Sequence, residues 1–236
     1  MVADRLMTQD LVARTSGRIR YVRPAVGLAA AAVGTVAVAG LADSATESDG
    51  LAAFDPRLTD DMLHLRTIPL TDLARSLTFI GDVPVLSALA LIAAVVLRLM
   101  TRRWRPSVVL LVAMAGSAAL TYCVKLLVGR HRPGMTYVLG SADTSYSFPS
   151  GHTLNSAVFL LTLAGLLWAS GRRLAWKITG TACAVLFSVG IGLSRIYLGY
   201  HWATDVLAGW LIAATWLSLV ATGAYLTRRA RTDLQG

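Results

Sequence analysis

Residues 180–226 read GTACAVLFSVGIGL, then SRIYLGYHWATD, then VLAGWLIAATWLSLVATGAYL, so that an arginine, a histidine and an aspartate stand between Ser194 and Asp205, flanked by strongly apolar runs. The runs extend over about 176–193 and 204–226, and an α-helix of about 20 mostly apolar residues suffices to cross a bilayer. Ionisable groups at such a boundary cost about 2.5–3.5 kcal/mol each on insertion scales, so they persist where they pair or do chemistry.

Four more stretches of this kind lie upstream, at about 24–42, 83–100, 107–127 and 153–169. Of the 236 residues 55% are hydrophobic and 15% charged, which excludes an ordinary soluble domain. The expected fold is all-α: a six-transmembrane-helix bundle, one membrane domain over 1–236, with short interfacial helices between the first two spans. In that connection Met62, Leu63, Leu70, Leu73, Leu77 and Ile80 recur near helical spacing.

The net charge of +9 is not gathered into a face that would bind nucleic acid. Arg5, Arg14, Arg18, Arg20 and Arg23 precede the first span; Arg102, Arg103 and Arg105, then Arg172, Arg173 and Lys177, then Arg228, Arg229 and Arg231 mark every second boundary after it. Positive residues favour the cytoplasmic side, so an integral, multi-pass plasma membrane protein with both termini cytoplasmic is expected. The first span has an arginine-bearing start and an Ala37-Val38-Ala39 site of signal-peptide form. Its apolar run exceeds the roughly 7–15 residues of a signal peptide, so an uncleaved anchor is expected. Cys123 and Cys183 fall inside spans and are expected as unpaired, buried small apolar residues.

On this topology the unusual polar residues share the outer side. Lys125 and Arg132 are seven apart, close to two helical turns, and point one way if the third span continues to the stop at Pro133. Pro149-Ser150-Gly151-His152 precedes the fourth span. A helix start offers free N–H groups to an anion, and Gly151 permits close approach; a plain N-cap with an interfacial histidine is the simpler alternative. His201 and Asp205 are four apart and share a face if helical. They make either a structural pair or an imidazole oriented by a carboxylate for nucleophilic attack. Arg195 adds a planar donor suited to phosphate oxygens. Together these residues compose an inventory for phosphoryl transfer through a phosphohistidine, with no metal or cofactor required.

The set Lys125-x6-Arg132-Pro133, Pro149-Ser150-Gly151-His152 and Ser194-Arg195-x5-His201-x3-Asp205 resembles the three-part signature of the type 2 phosphatidic acid phosphatase (PAP2) superfamily, within 125–205. The resemblance implies that His201 is the nucleophile, Asp205 its orienting partner and His152 the general acid. It implies that Lys125, Arg132, Ser150, Gly151 and Arg195 hold the phosphate. The expected substrate is a lipid phosphate or diphosphate in the bilayer: an undecaprenyl-type isoprenyl phosphate or pyrophosphate, phosphatidic acid or phosphatidylglycerol phosphate. A phosphotransferase using the same phosphoenzyme is the alternative. An anion-binding transporter would not need the His201–Asp205 spacing, and a vanadate-dependent haloperoxidase shares the signature but not the spans. Outside the signature, His131 is expected in the loop, solvated or touching a second phosphate, and Tyr197, Tyr200 and Trp202 as interfacial belt aromatics.

Overall fold

In the computed structural model residues 2–141 and 143–233 are described, with side chains from Val22 to Ala230. The chain forms α1 (Val2–Glu47), α2 (Asp55–His64), α3 (Ile68–Ile80), α4 (Val83–Thr101), α5 (Arg105–Val128), α6 (Gly151–Trp168), α7 (Leu174–Tyr197) and α8 (Ala203–Asp233), with short 3₁₀ turns at Ala52–Phe54 and Met135–Tyr137. Among the described residues six helices are long and apolar enough to cross a membrane: Val22–Glu47 of α1, then α4, α5, α6, α7 and Ala203–Ala230 of α8. Each contains one expected stretch. Pro84 and Pro106 open α4 and α5 at positions where the missing N–H has no partner to lose.

Half of the most apolar window of α6 is buried, a larger share than in the other five. This helix carries the small and polar side chains that let neighbours approach in a bilayer. Ser117 of α5 donates to Asn155 Oδ1 at 2.7 Å. Leu154, Ala157 and Val158 pack with Ala113 of α5 and with Ile212 and Ala213 of α8. On the other side, Phe159 meets Leu86, Ala90 and Ala94 of α4 and Leu110 of α5. Helix α1 lies along α8.

Three local expectations change. Helix α5 ends at Val128 because Gly129 takes the left-handed conformation (φ 64°), four residues before Pro133. Lys125 is therefore in the last helical turn and Arg132 in the loop beyond it. Helix α8 begins at Ala203, so His201 precedes it while Asp205 lies in its first turn. Asp205 Oδ2 accepts the Trp202 N–H at 2.9 Å, as the acidic member of a capping box does, which sets that start. Cys123 and Cys183 are free but exposed, not buried.

The interfacial helices do not stand apart from the bundle. Ala74 of α3 is buried against Tyr197 and Leu198, while Ile68, Leu73 and Phe79 remain exposed. Tyr197 and Tyr200 are accordingly packing residues and not a belt: the Tyr197 hydroxyl meets Thr71 Oγ1 at 3.0 Å, and Tyr200 stacks beneath the Arg195 guanidinium at 4.2 Å.

Candidate active site

The C-terminal ends of α5 and α7, the N-terminal ends of α6 and α8 and the turn from α3 to α4 meet at one end of the bundle, together with residues 129–141 and 143–150. His201 is 1% exposed there. Its Nδ1 lies 3.3 Å from Asp205 Oδ2, and its Nε2 is 3.2 Å from Arg132 Nη1. An arginine can only donate, so Nε2 is the acceptor and carries the lone pair, while Nδ1 holds the proton toward Asp205. Burial first, then the nearby cations of Arg132, Arg195 and Lys125, holds the ring well below the usual 6.5 and keeps it neutral.

Asp205 is fully buried. Its Oδ2 also accepts from the Ser147 hydroxyl, and Oδ1 accepts from Arg130 Nη1 at 2.8 Å. Arg130 reaches on through Nη2 to Asp55 Oδ2 at 2.8 Å, and Asp55 Oδ1 accepts the Thr204 N–H at 3.0 Å. The carboxylate facing His201 is thus clamped by a buried Asp55–Arg130–Asp205 chain that fastens the first connecting segment to the start of α8.

Arg132 is held through all three of its nitrogens. Nε donates to the Ser145 carbonyl at 2.7 Å, Nη1 to the Tyr200 carbonyl at 2.7 Å and to His201 Nε2, and Nη2 to Ser145 Oγ at 2.9 Å, with Asp143 Oδ2 as its ion-pair partner at 2.7 Å. Lys125 Nζ donates to the Tyr146 carbonyl and lies 3.3 Å from Ser145 Oγ. A carboxylate and a loop thus hold the two cations. Burial would raise the Asp143 carboxyl, but the Ser145 N–H and the Arg132 and Lys125 charges outweigh it and hold the group below its ordinary range.

Arg195 is buried, and its Nη1 donates to Thr78 Oγ1 at 2.6 Å. His152 Nε2 lies 2.7 Å from Asp82 Oδ1. Both line an open cleft of about 660 Å³ together with Thr78, Asp82 and Asp143. Ser150 is the N-cap of α6: its Oγ accepts from Thr153 Oγ1 at 2.9 Å, and its N–H donates to the Asp205 carbonyl at 3.0 Å. That last bond ties the starts of α6 and α8 together. Gly151 follows at the first helical position, where an added Cβ would lie 3.1 Å from Thr121 Cγ2.

All eight residues singled out in the sequence thus reach this end of the bundle, with Lys125, Arg132 and Arg195 among the charges nearest His201. His131 turns to the surface, its carbonyl accepting from Trp202 Nε1 at 3.0 Å. Sequence reasoning passed over Asp55, Asp82, Arg130, Asp143 and Ser147. No spacing rule links Asp55 and Asp82 to residues 70 to 150 positions later. Among the described residues no three His, Cys, Asp or Glu side chains converge as a metal site.

An undecaprenyl-diphosphatase of Sulfolobus acidocaldarius is 34% identical over 90 residues, which cover 36% of this chain and 37% of the relative, so the chain spans little more than a third of that protein's length. A decaprenylphosphoryl-5-phosphoribose phosphatase of Mycobacterium tuberculosis is 33% identical over 148 residues, covering 61% of this chain and 73% of the relative. The crystal structure of a transmembrane PAP2 type phosphatidylglycerolphosphate phosphatase from Bacillus subtilis superposes with a TM-score of 0.74 at 24% identity, over 81% of this chain and 94% of that one, which shows a shared fold. With a family model for the PAP2 superfamily matching residues 106–229, a range that holds all eight signature residues, this multi-pass membrane protein belongs to the PAP2 superfamily.

Proposed function

We propose that the chain hydrolyses a phosphate or diphosphate ester of a membrane lipid through a phosphohistidine on His201. The observation that carries this reading is the tautomer: Asp205 takes the Nδ1 proton side of a buried imidazole, and Arg132 marks Nε2 as the nitrogen with the lone pair. In the first half-reaction Nε2 bonds to phosphorus as the bond to the leaving lipid oxygen breaks, and His152 gives that oxygen a proton. In the second, His152 takes a proton from water, whose oxygen attacks phosphorus and releases His201. Lys125, Arg132 and Arg195 spread the charge of the three phosphoryl oxygens, and the α6 start with Ser150 and Gly151 adds N–H donors. The scheme needs no bound metal, so turnover is expected to survive EDTA.

Several observations support a lipid as the substrate. The cleft opens at the end of six apolar helices, so acyl or prenyl tails can stay in the bilayer while the phosphate enters. The relatives' names cover a polyprenyl diphosphate, a polyprenyl phosphoribose phosphate and, in the fold match, phosphatidylglycerolphosphate. The arginines at the opposite helix ends favour a site on the extracytoplasmic side.

The test is phosphate release by the detergent-solubilised protein from isoprenyl diphosphate, isoprenyl phosphate, phosphatidic acid and phosphatidylglycerol phosphate, beside His201→Ala. Release from at least one lipid, lost in the variant, is the expected result. Turnover that persists in His201→Ala, or that disappears with EDTA and returns with magnesium, would overturn the scheme.

A further inference from the structure

The turn joining α3 to α4 makes contact with the site in a way its own helix does not require. Asp82 occupies the N-cap position of α4, where an aspartate ordinarily accepts an N–H from its own first turn. It makes no such bond. Instead its Oδ1 sits 2.7 Å from Nε2 of His152, seventy residues further along the chain. The preceding Gly81 is pressed onto the same ring: a Cβ there would lie 3.1 Å from His152 Cδ2 and 2.8 Å from Ile191 Cγ2. Asp82 and His152 face the same cleft as Arg195, and the Asp82 side chain is 45% exposed against 18% for His152.

We propose that Asp82 is the positioning residue of the general acid, accepting Nε2–H of His152 so that Nδ1 is the nitrogen that exchanges a proton with the substrate. This rests on the phosphatase reading above. His152 makes no other hydrogen bond to a described residue, so Nδ1 is the open position. In the first half-reaction the Nδ1 proton passes to the lipid oxygen as that oxygen leaves phosphorus. The ring becomes neutral and keeps Nε2–H on the carboxylate. In the second, the proton of the attacking water goes to Nδ1 as the phosphorus–His201 bond breaks. The site then contains two His–Asp pairs with opposite duties: Asp205 fixes a ring that must present a lone pair, and Asp82 fixes one that must present a proton. A carboxylate at this distance also opposes a ring flip, which would put Cε1 in the place of Nε2 and lose the hydrogen bond.

The test compares Asp82→Asn and Asp82→Ser on two substrates. Serine is itself a good N-cap, so the start of α4 is preserved while the carboxylate is removed. An alkyl phosphate such as dodecyl phosphate has a poor leaving group that needs the proton; p-nitrophenyl phosphate does not. General-acid assistance contributes about 10²–10⁴-fold, and a positioning partner part of that. Both variants are therefore expected to lose about 10- to 100-fold in kcat on dodecyl phosphate, less than about 3-fold on p-nitrophenyl phosphate, and little in KM, with Asp82→Glu recovering part of the loss. Equal losses on both substrates, or none on either, would overturn the proposal, since a purely structural role does not depend on the leaving group. A readout independent of activity is the ¹⁵N spectrum of histidine-labelled protein: neutral His152 should be protonated at Nε2 in the parent and mixed in Asp82→Ser. A neutral ring protonated at Nδ1 in the parent counts against it. His201→Ala run alongside separates the two levels, because turnover surviving there removes the phosphohistidine scheme itself.

Discussion

His201 and Asp143 meet Arg132 from opposite sides, one as the acceptor of Nη1 and the other as an ion-pair partner of Nη2. On the proposed mechanism a phosphate dianion arriving between them gains the arginine only by expelling the carboxylate. Asp143→Asn should therefore lower KM several-fold with kcat nearly unchanged, which steady-state kinetics on the preferred lipid would measure; a raised KM would mean that Asp143 helps to bind substrate. Deeper in, Asp55 and Asp205 share Arg130, whose side chain is only 10% exposed. Breaking one partner of a buried pair costs about 3–5 kcal/mol. Asp55→Asn is expected to lower the thermal midpoint in detergent, and Asp55→Asn with Arg130→Met to cost less than the sum of the two single changes. Additive losses would show that the two residues act separately.

At the scale of elements, α1 and α8 approach closely because small residues meet across them. A Cβ at Gly34 would overlap the Thr215 side chain, and one at Gly27 would overlap Thr222, whereas nothing lies within 4 Å of a Cβ at Gly40. Gly34→Val should force the helices apart and lower the detergent midpoint measurably. Gly40→Ala should leave it unchanged or slightly raise it through better helix propensity. Equal responses would mean that α1 is held by the bilayer and not by α8. A second small residue does similar work near the site: Gly199 (φ 78°) lets the chain leave α7 with its Cα against the Tyr137 carbonyl, a conformation that side-chain-bearing residues adopt with strain. From there the backbone turns so that the His201 N–H donates to the Arg195 carbonyl at 3.3 Å, which places His201 behind Arg132 before α8 begins.

For the whole molecule, the burial that makes the site also sets its response to acid. His201 has its folded-state value lowered well below 6.5 by burial and then by surrounding cations. The unfolded chain takes up a proton there near pH 6.5 and the folded protein does not. This contribution to stability is present above about pH 6.5 and is lost progressively as pH falls below it. On the proposed mechanism the same neutrality keeps His201 able to attack in mild acid, so the acid limb of kcat/KM should lie below pH 6.5. A pH–rate profile with an acid limb centred above pH 7 would contradict the buried, cation-ringed imidazole. By itself the sequence determined six spans and the eight signature residues, because hydropathy over about 20 residues and fixed local spacings are properties of neighbouring positions. It did not determine that α5 stops at Gly129, that His201 stands before α8 and not on it, or that α3 packs on α7. Only the tertiary structure decided that Asp55 clamps Asp205 through Arg130 and that Asp82 faces His152. Those pairs join segments 70 to 150 residues apart, and a charge in a connecting loop reads the same in sequence whether it ends in water or against an imidazole.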